Sequence, residues 1–165
     1  MNIFRFIHRV GQFKNALFAS VDKKEISEIS QYLDTEEISL FLSMSIIDQR
    51  HSLDVYHTSK DVIKKYPTAN KNLTFKAVLL HDVGKSNFDL SLLDRVLATL
   101  PKKIVKKFFF WKYKHVMDYK YLHPSMSAKM VSNEAIKEWV ALHYEEVKQD
   151  DPPELKVLKI SDYLN

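Results

Sequence analysis

Three observations predict an all-α fold for this chain. Apolar residues recur at three- and four-residue steps along most of its length, the period of an amphipathic helix. Chain-breakers are scarce: 165 residues contain two glycines and five prolines. An all-β fold would need a turn signal every 8–12 residues or so. No stretch carries the alternating pattern of a strand. The length suits one domain with a real core, expected here as a single helical bundle.

The elements follow in order. Ile3, Phe6, Ile7, Val10, Phe13 and Leu17 form the apolar stripe of a first amphipathic helix. Asp22 opens a second that ends near Leu33. Asp34, with Glu37 three residues on, reads as a capping box for a third. That helix is expected to run from Thr35 through His51, with a bend, to about Lys65, where Pro67 stops it. Leu73 to Val83 is the next, with Gly84 placed as a C-cap glycine. Leu90 to Leu100 reads as helical, and Pro101 as the first residue of a helix reaching Trp111. Pro124 is expected to begin a helix to Val131, Asn133 to cap one reaching Val147, and Pro152-Pro153 to open the last, ending at Leu164.

Composition excludes several classes. With no cysteine, disulfides and thiolate zinc sites are ruled out, and a reducing cytoplasm is the expected compartment. No apolar run approaches the roughly 18 residues of a membrane span. The first residues interleave Arg5 and Arg9 with the apolar ones, which makes a poor secretory leader. The net charge of +4 is mild but uneven, because Lys102, Lys103, Lys106, Lys107, Lys112 and Lys114 lie close together.

The chemistry gathers around His81-Asp82. This pair follows a strongly apolar helical stretch, and an ionised carboxylate there is costly without a positive partner. Helical spacing puts other metal-competent side chains on apolar faces. His51 lies four residues after Ile47 and four before Val55. His143 follows Trp139 by four and Val140 by three. Asp162 follows Leu158 by four. Taken alone, each histidine reads as a core imidazole bonded to a carbonyl. Two aspartates on leucine faces are harder to explain. Lysine or arginine could balance them, but their companions are imidazoles, and a divalent metal would satisfy the whole set.

In this order the residues resemble the HD-domain superfamily of metal-dependent phosphohydrolases, from about residue 45 onward. The likeness rests on Arg50-His51-Ser52-Leu53-Asp54-Val55, on Leu80-His81-Asp82-Val83-Gly84-Lys85 and on Ile160-Ser161-Asp162. His123-Pro124 with Ser127-Ala128, and Leu142-His143, match the two further histidines of members that hold two metals. The resemblance implies a 45–165 HD domain, with residues 1–44 packing on or extending it, as a dimer interface in one version. It implies that His51, His81, Asp82 and Asp162 hold one metal, and that Asp82 bridges to a second completed by His123 and His143. Asp82 and Lys85 would be the catalytic residues, Lys85 by meeting a substrate phosphate. One or two divalent ions are implied. Mn, Fe, Co, Ni or Zn suit an imidazole-rich shell better than Mg.

The activity implied is hydrolysis of a phosphoester or phosphoanhydride of a nucleotide by a metal-bound hydroxide. The alternative is a catalytically silent HD module that binds a nucleotide or a partner. After His143-Tyr144 comes Glu145-Glu146-Val147 rather than Gly-Tyr-Pro, so the cyclic-di-GMP activity of the HD-GYP branch is not expected.

Other residues receive blander readings. Lys85 could equally be a solvated lysine favoured by a helix C-terminus. Asp48 is read as a surface aspartate rather than a support for His51, and His57 as solvent-facing. His8 and His115 match nothing. In the stretch from Lys102 to Lys114, Phe108-Phe109-Phe110-Trp111 are expected to fill the core beneath a coat of lysines. A surface for anionic membranes or nucleic-acid bases is the alternative. Nucleic acid is not favoured as a partner of the chain.

Overall fold

A computed structural model of the protein describes residues 19–165. The helix expected from Ile3 to Leu17 lies outside them. Among the described residues the fold is all-α, with no strand. The helices are α1 Lys23–Ile29, α2 Thr35–Ser43, α3 Ile46–Val62, α4 Lys71–Leu80, α5 Leu92–Thr99, α6 Lys102–Phe108, α7 Phe110–Met130, α8 Glu134–Leu142 and α9 Pro153–Leu164.

Local chemistry sets most of the boundaries. Asp22 and Asp34 each accept a hydrogen bond from the backbone amide three residues on, while Glu25 and Glu37 each accept one from the cap residue's amide. These are complete capping boxes. Ser91 and Asp94 make a third at the start of α5. Asn70 caps α4 and Asn133 caps α8 by one bond each, accepted from the Leu73 and Ile136 amides.

α4 is the centre of the bundle. Thr74, Phe75 and every residue from Ala77 to Leu80 are buried. It packs on α3, α8 and α9 at once, and a helix apolar on several sides needs such a setting. Ile29, Leu33, Phe41 and Met44 join the same core as Leu53, Phe75, Val140 and Leu158, so α1 and α2 share the bundle's interior. A smaller, separate core of Leu97, Val105, Val116 and Met117 holds α5 and α6 against the first half of α7.

Several expectations need correction. The helix foreseen from Thr35 to Lys65 is broken at Met44, and Ser45 caps a fresh start at Ile46. The helix through Trp111 ends at Phe108, because Phe109 leaves helical geometry. Pro124 does not begin a helix. It lies inside the 21-residue α7, which gives up one backbone hydrogen bond there and regains stability from packing against residues 83–87 and α8. His123 therefore sits mid-helix rather than at a helix start. The helix after Asn133 stops at Leu142, short of Val147. Asp48 is buried, not solvated, and both its oxygens receive the Arg95 guanidinium at 2.6 and 2.9 Å.

The aromatic stretch is also corrected. Phe108, Phe110 and Trp111 are exposed at 57%, 73% and 64% rather than filling the core. Of the four rings only Phe109 packs against the smaller cluster.

Gly84 is needed for a different reason from the one expected. Gly84 does not have a positive φ, and Asp82 leads into a short 3-10 turn at Val83–Asn87 instead of a left-handed cap. What Gly84 provides is contact. A Cβ there would stand 2.4 Å from the Ser127 amide nitrogen and 2.5 Å from the His123 carbonyl oxygen. The Gly84 amide donates to Ser127 Oγ at 2.8 Å. Gly84→Ala would force α7 away from the His81-Asp82 turn. The expected loss is about 1–3 kcal/mol of unfolding free energy, read by chemical denaturation of the two proteins side by side.

Candidate metal centre

All six residues singled out in the sequence converge on one pocket. His51 comes from the middle of α3, and His81 and Asp82 from the end of α4. His123 lies on α7, His143 just past α8, and Asp162 near the end of α9. His51 Nε2 stands 3.1 Å from Asp162 Oδ1 and 3.7 Å from Asp82 Oδ2. His81 Nε2 is 3.3 Å from Asp82 Oδ2 and 3.7 Å from Asp162 Oδ1. On the other side, His123 and His143 place Nε2 at 3.3 and 3.9 Å from Asp82 Oδ1. The two oxygens of Asp82 thus face two different pairs of histidines.

Three of the imidazoles are held by the same device. His81 Nδ1 lies 2.7 Å from the Val78 carbonyl, His123 Nδ1 2.8 Å from that of Tyr119, and His143 Nδ1 2.6 Å from that of Val140. A carbonyl can only accept, so Nδ1 carries the proton. A ring held this way, when neutral, turns a lone pair on Nε2 into the pocket.

The donor set fits a cation. His81 Nε2 and Asp82 Oδ1 are fully buried and lack a hydrogen-bond partner among the described residues, a costly arrangement for a finished protein interior. Two donors bound tetrahedrally at about 2.1 Å from one ion lie about 3.4 Å apart, the spacing seen around Asp82. In three overlapping groups the donor atoms all lie within 4.8 Å of one another: His51-His81-Asp82, His81-His143-Asp162 and Asp82-His123-His143.

The family model described as HD domain matches residues 49–165. The chain belongs to the HD-domain family. No curated protein and no solved structure matches it. HD domains are generally metal-dependent phosphohydrolases, and the match spans every residue of this pocket.

The electrostatics of the HD pocket come from burial set against two carboxylates. Burial would raise the Asp82 and Asp162 pKa values, but the surrounding imidazoles, with Lys85 beside Asp82, hold both well below the usual range. Burial pushes His123 down to about 3 and His143 to about 4, so both stay neutral at pH 7. His81 is also pulled down by burial, yet the adjacent Asp82 and Asp162 lift it to about 10. Without a cation the carboxylates draw a proton onto the nearest base. Lys85 ion-pairs with Asp82 Oδ2, and its side chain is mostly covered. It is therefore not the solvated helix-end lysine of the blander reading.

Sequence reasoning missed three contributors. Tyr119 supplies the carbonyl for His123 and lies under the Lys85 ammonium, whose nitrogen is 5.7 Å from the ring centre. Its position four residues before His123 was the available signal. Arg95 clamps Asp48, tying α5 to the helix that carries His51, and no local pattern announces that pair. Tyr144 brings its ring to 5.6 Å from His123 and 6.2 Å from His143.

Elemental mass spectrometry on untagged protein is expected to find a transition metal in the wild type and none in Asp82→Ala. Adding Mn(II) at a hundred times its Kd should raise the unfolding free energy by about 2.7 kcal/mol in the wild type and leave the variant unmoved.

Proposed function

We propose that the protein is a phosphohydrolase acting on a nucleotide-type phosphoester or phosphoanhydride, and that its six pocket residues are the ligands of one or two divalent cations. The observation that carries this reading is the divided carboxylate of Asp82: Oδ2 faces His51 and His81, while Oδ1 faces His123 and His143. His51, His81, Asp82 and Asp162 would hold one cation, and Asp82, His123 and His143 a second. Ions bound there would lower the pKa of a water and take up charge on phosphate oxygens.

The remaining roles belong to the chain's own side chains. With the imidazoles neutral, as metal ligation would require of His81, the charges at the pocket's centre are two carboxylates and the Lys85 ammonium. Once cations balance the carboxylates, Lys85 holds positive charge in excess, and a phosphate oxygen is its natural partner. His81, His123 and His143 cannot rotate without losing their bonds to main-chain carbonyls, so the donor atoms are set before substrate arrives. Tyr144 and Tyr121 are each about half exposed, with ring centres 6.5 Å apart, beside the His123 face. Aromatic rings at the rim of a phosphate pocket support a substrate that carries a base. The absence of cysteine supports a cytoplasmic setting.

The competing reading, a silent binding module, draws on Lys85. Its ammonium already occupies the Asp82 oxygen that faces His51 and His81. Phosphate release from nucleotides by Mn-loaded protein separates the two readings. The enzyme reading expects release in proportion to protein and none from His81→Ala. A nucleotide that raises Tm but survives prolonged incubation would favour the silent module. Lys85→Met should keep its metal and lose about 10²–10³ in kcat, the cost of removing one electrostatic donor. Tyr144→Ala should raise KM for nucleotides and leave KM for p-nitrophenyl phosphate unchanged, a split that steady-state kinetics measures.

A further inference from the structure

The metal pocket leaves one surface unexplained. α6 and the start of α7 form a tip where Phe108, Phe110 and Trp111 are exposed at 57%, 73% and 64%, with Ile104 beside them in sequence at 41%. Single exposed apolar residues are ordinary, but three large rings within four residues are not. The Phe110 and Trp111 rings lie edge to face, their centres 5.5 Å apart. The charge around them has one sign. From Arg95 to Met117 there is no acidic residue, against Arg95 and six lysines. Arg95, Lys112 and Lys114 are matched by Asp48, Asp94 and Asp118. Lys102, Lys103, Lys106 and Lys107 are exposed, and no acidic group among the described residues pairs with them.

We propose that this tip docks the protein on an anionic lipid bilayer. Phe108, Phe110 and Trp111 enter the boundary between headgroups and acyl chains, and the four unmatched lysines rest on the anionic headgroups. Protruding rings and an aliphatic side chain, ringed by lysines on a short helix, are what an interfacial anchor requires. Charge argues against the other occupants. A second copy meeting this tip by two-fold symmetry would bring like charges together. The sequence of residues 1–18 holds Arg5, Arg9 and Lys14 and no acidic residue, so it offers nothing to neutralise the lysines. Single-stranded nucleic acid needs ring faces open along a groove, whereas here the rings stand out and Trp111 abuts Phe110 at 89°. At 1.5 Å per residue along α7, Trp111 lies about 18 Å from His123. Docking would therefore leave the pocket clear of the membrane contact.

The chain carries its own probe. Trp111 and Trp139 are its two tryptophans, and Trp139 is buried. In Trp139→Phe, emission comes from Trp111 alone. Vesicles of phosphatidylcholine with phosphatidylserine should shift that emission to the blue, and pure phosphatidylcholine vesicles should not. Added salt should reverse the shift. In flotation of the full chain, each of Lys102, Lys103, Lys106 and Lys107 changed to Gln should weaken binding about fivefold. Phe110→Ser with Trp111→Ser should abolish flotation while Tm and nucleotide turnover stay unchanged. No blue shift with the mixed vesicles overturns the proposal. So does a shift produced by oligouridylate and not by vesicles, or flotation that survives both sets of substitutions.

Discussion

The architecture depends on keeping one carboxylate charged out of contact with water. Asp82 is 1% exposed and ionised, and an isolated charge in such a place costs several kcal/mol even after the protein relaxes. That cost organises its surroundings. Four histidines approach its two oxygens, Lys85 covers one of them, and the apolar body of α4 fixes where the carboxylate stands. Among the described residues, Asp82 Oδ1 and His81 Nε2 still have no hydrogen-bond partner, so the protein's own groups leave donor atoms of this pocket unsatisfied. A fold selected for stability alone would place well-packed apolar residues here instead.

The imidazoles reach the pocket through helix ends. His81 and His143 are the C-caps of α4 and α8, in nearly identical backbone conformations. Each bonds a carbonyl of the turn it terminates. A last helical turn has carbonyls without helical partners and carries partial negative charge. The same bond therefore satisfies the helix, fixes the ring's tautomer and aims two helix C-termini at the pocket. Local helix chemistry and the pocket's chemistry are one arrangement here, which is why a candidate metal site can be built almost wholly from regular helices.

The same logic explains what could be read in the sequence. The inward placing of His51, His81, Asp82, His143 and Asp162 was legible because a helix converts spacing into direction, and polar residues on apolar stripes stand out against their neighbours; His123, expected at a helix start, joined them only through the resemblance to HD domains. The capping box at Asp34 was legible because it is complete within four residues. What escaped depended on distant partners. Asp48 reads as a surface residue until Arg95, 47 positions away, is folded against it. Gly84 reads as a helix terminator until α7 presses on it. Pro124 reads as a helix start because only tertiary packing can hold a proline inside a helix. Phe108, Phe110 and Trp111 read as core because hydrophobicity says nothing of which side of a helix has a partner.

α7 shows how the two cores coexist without disturbing the pocket. Its first half packs Val116 and Met117 into the smaller core, and its second half sets Ala128 into the larger one, with His123 between. Any displacement of the outer lobe would travel along a continuous helix to His123. Two features limit this. Pro124 removes one backbone hydrogen bond at the junction, the usual weak point of a helix. Just beyond it, Gly84 lets Ser127 lock the inner half directly onto the His81-Asp82 turn. The part of α7 that carries His123 is thus registered to the His81-Asp82 turn by a contact of its own.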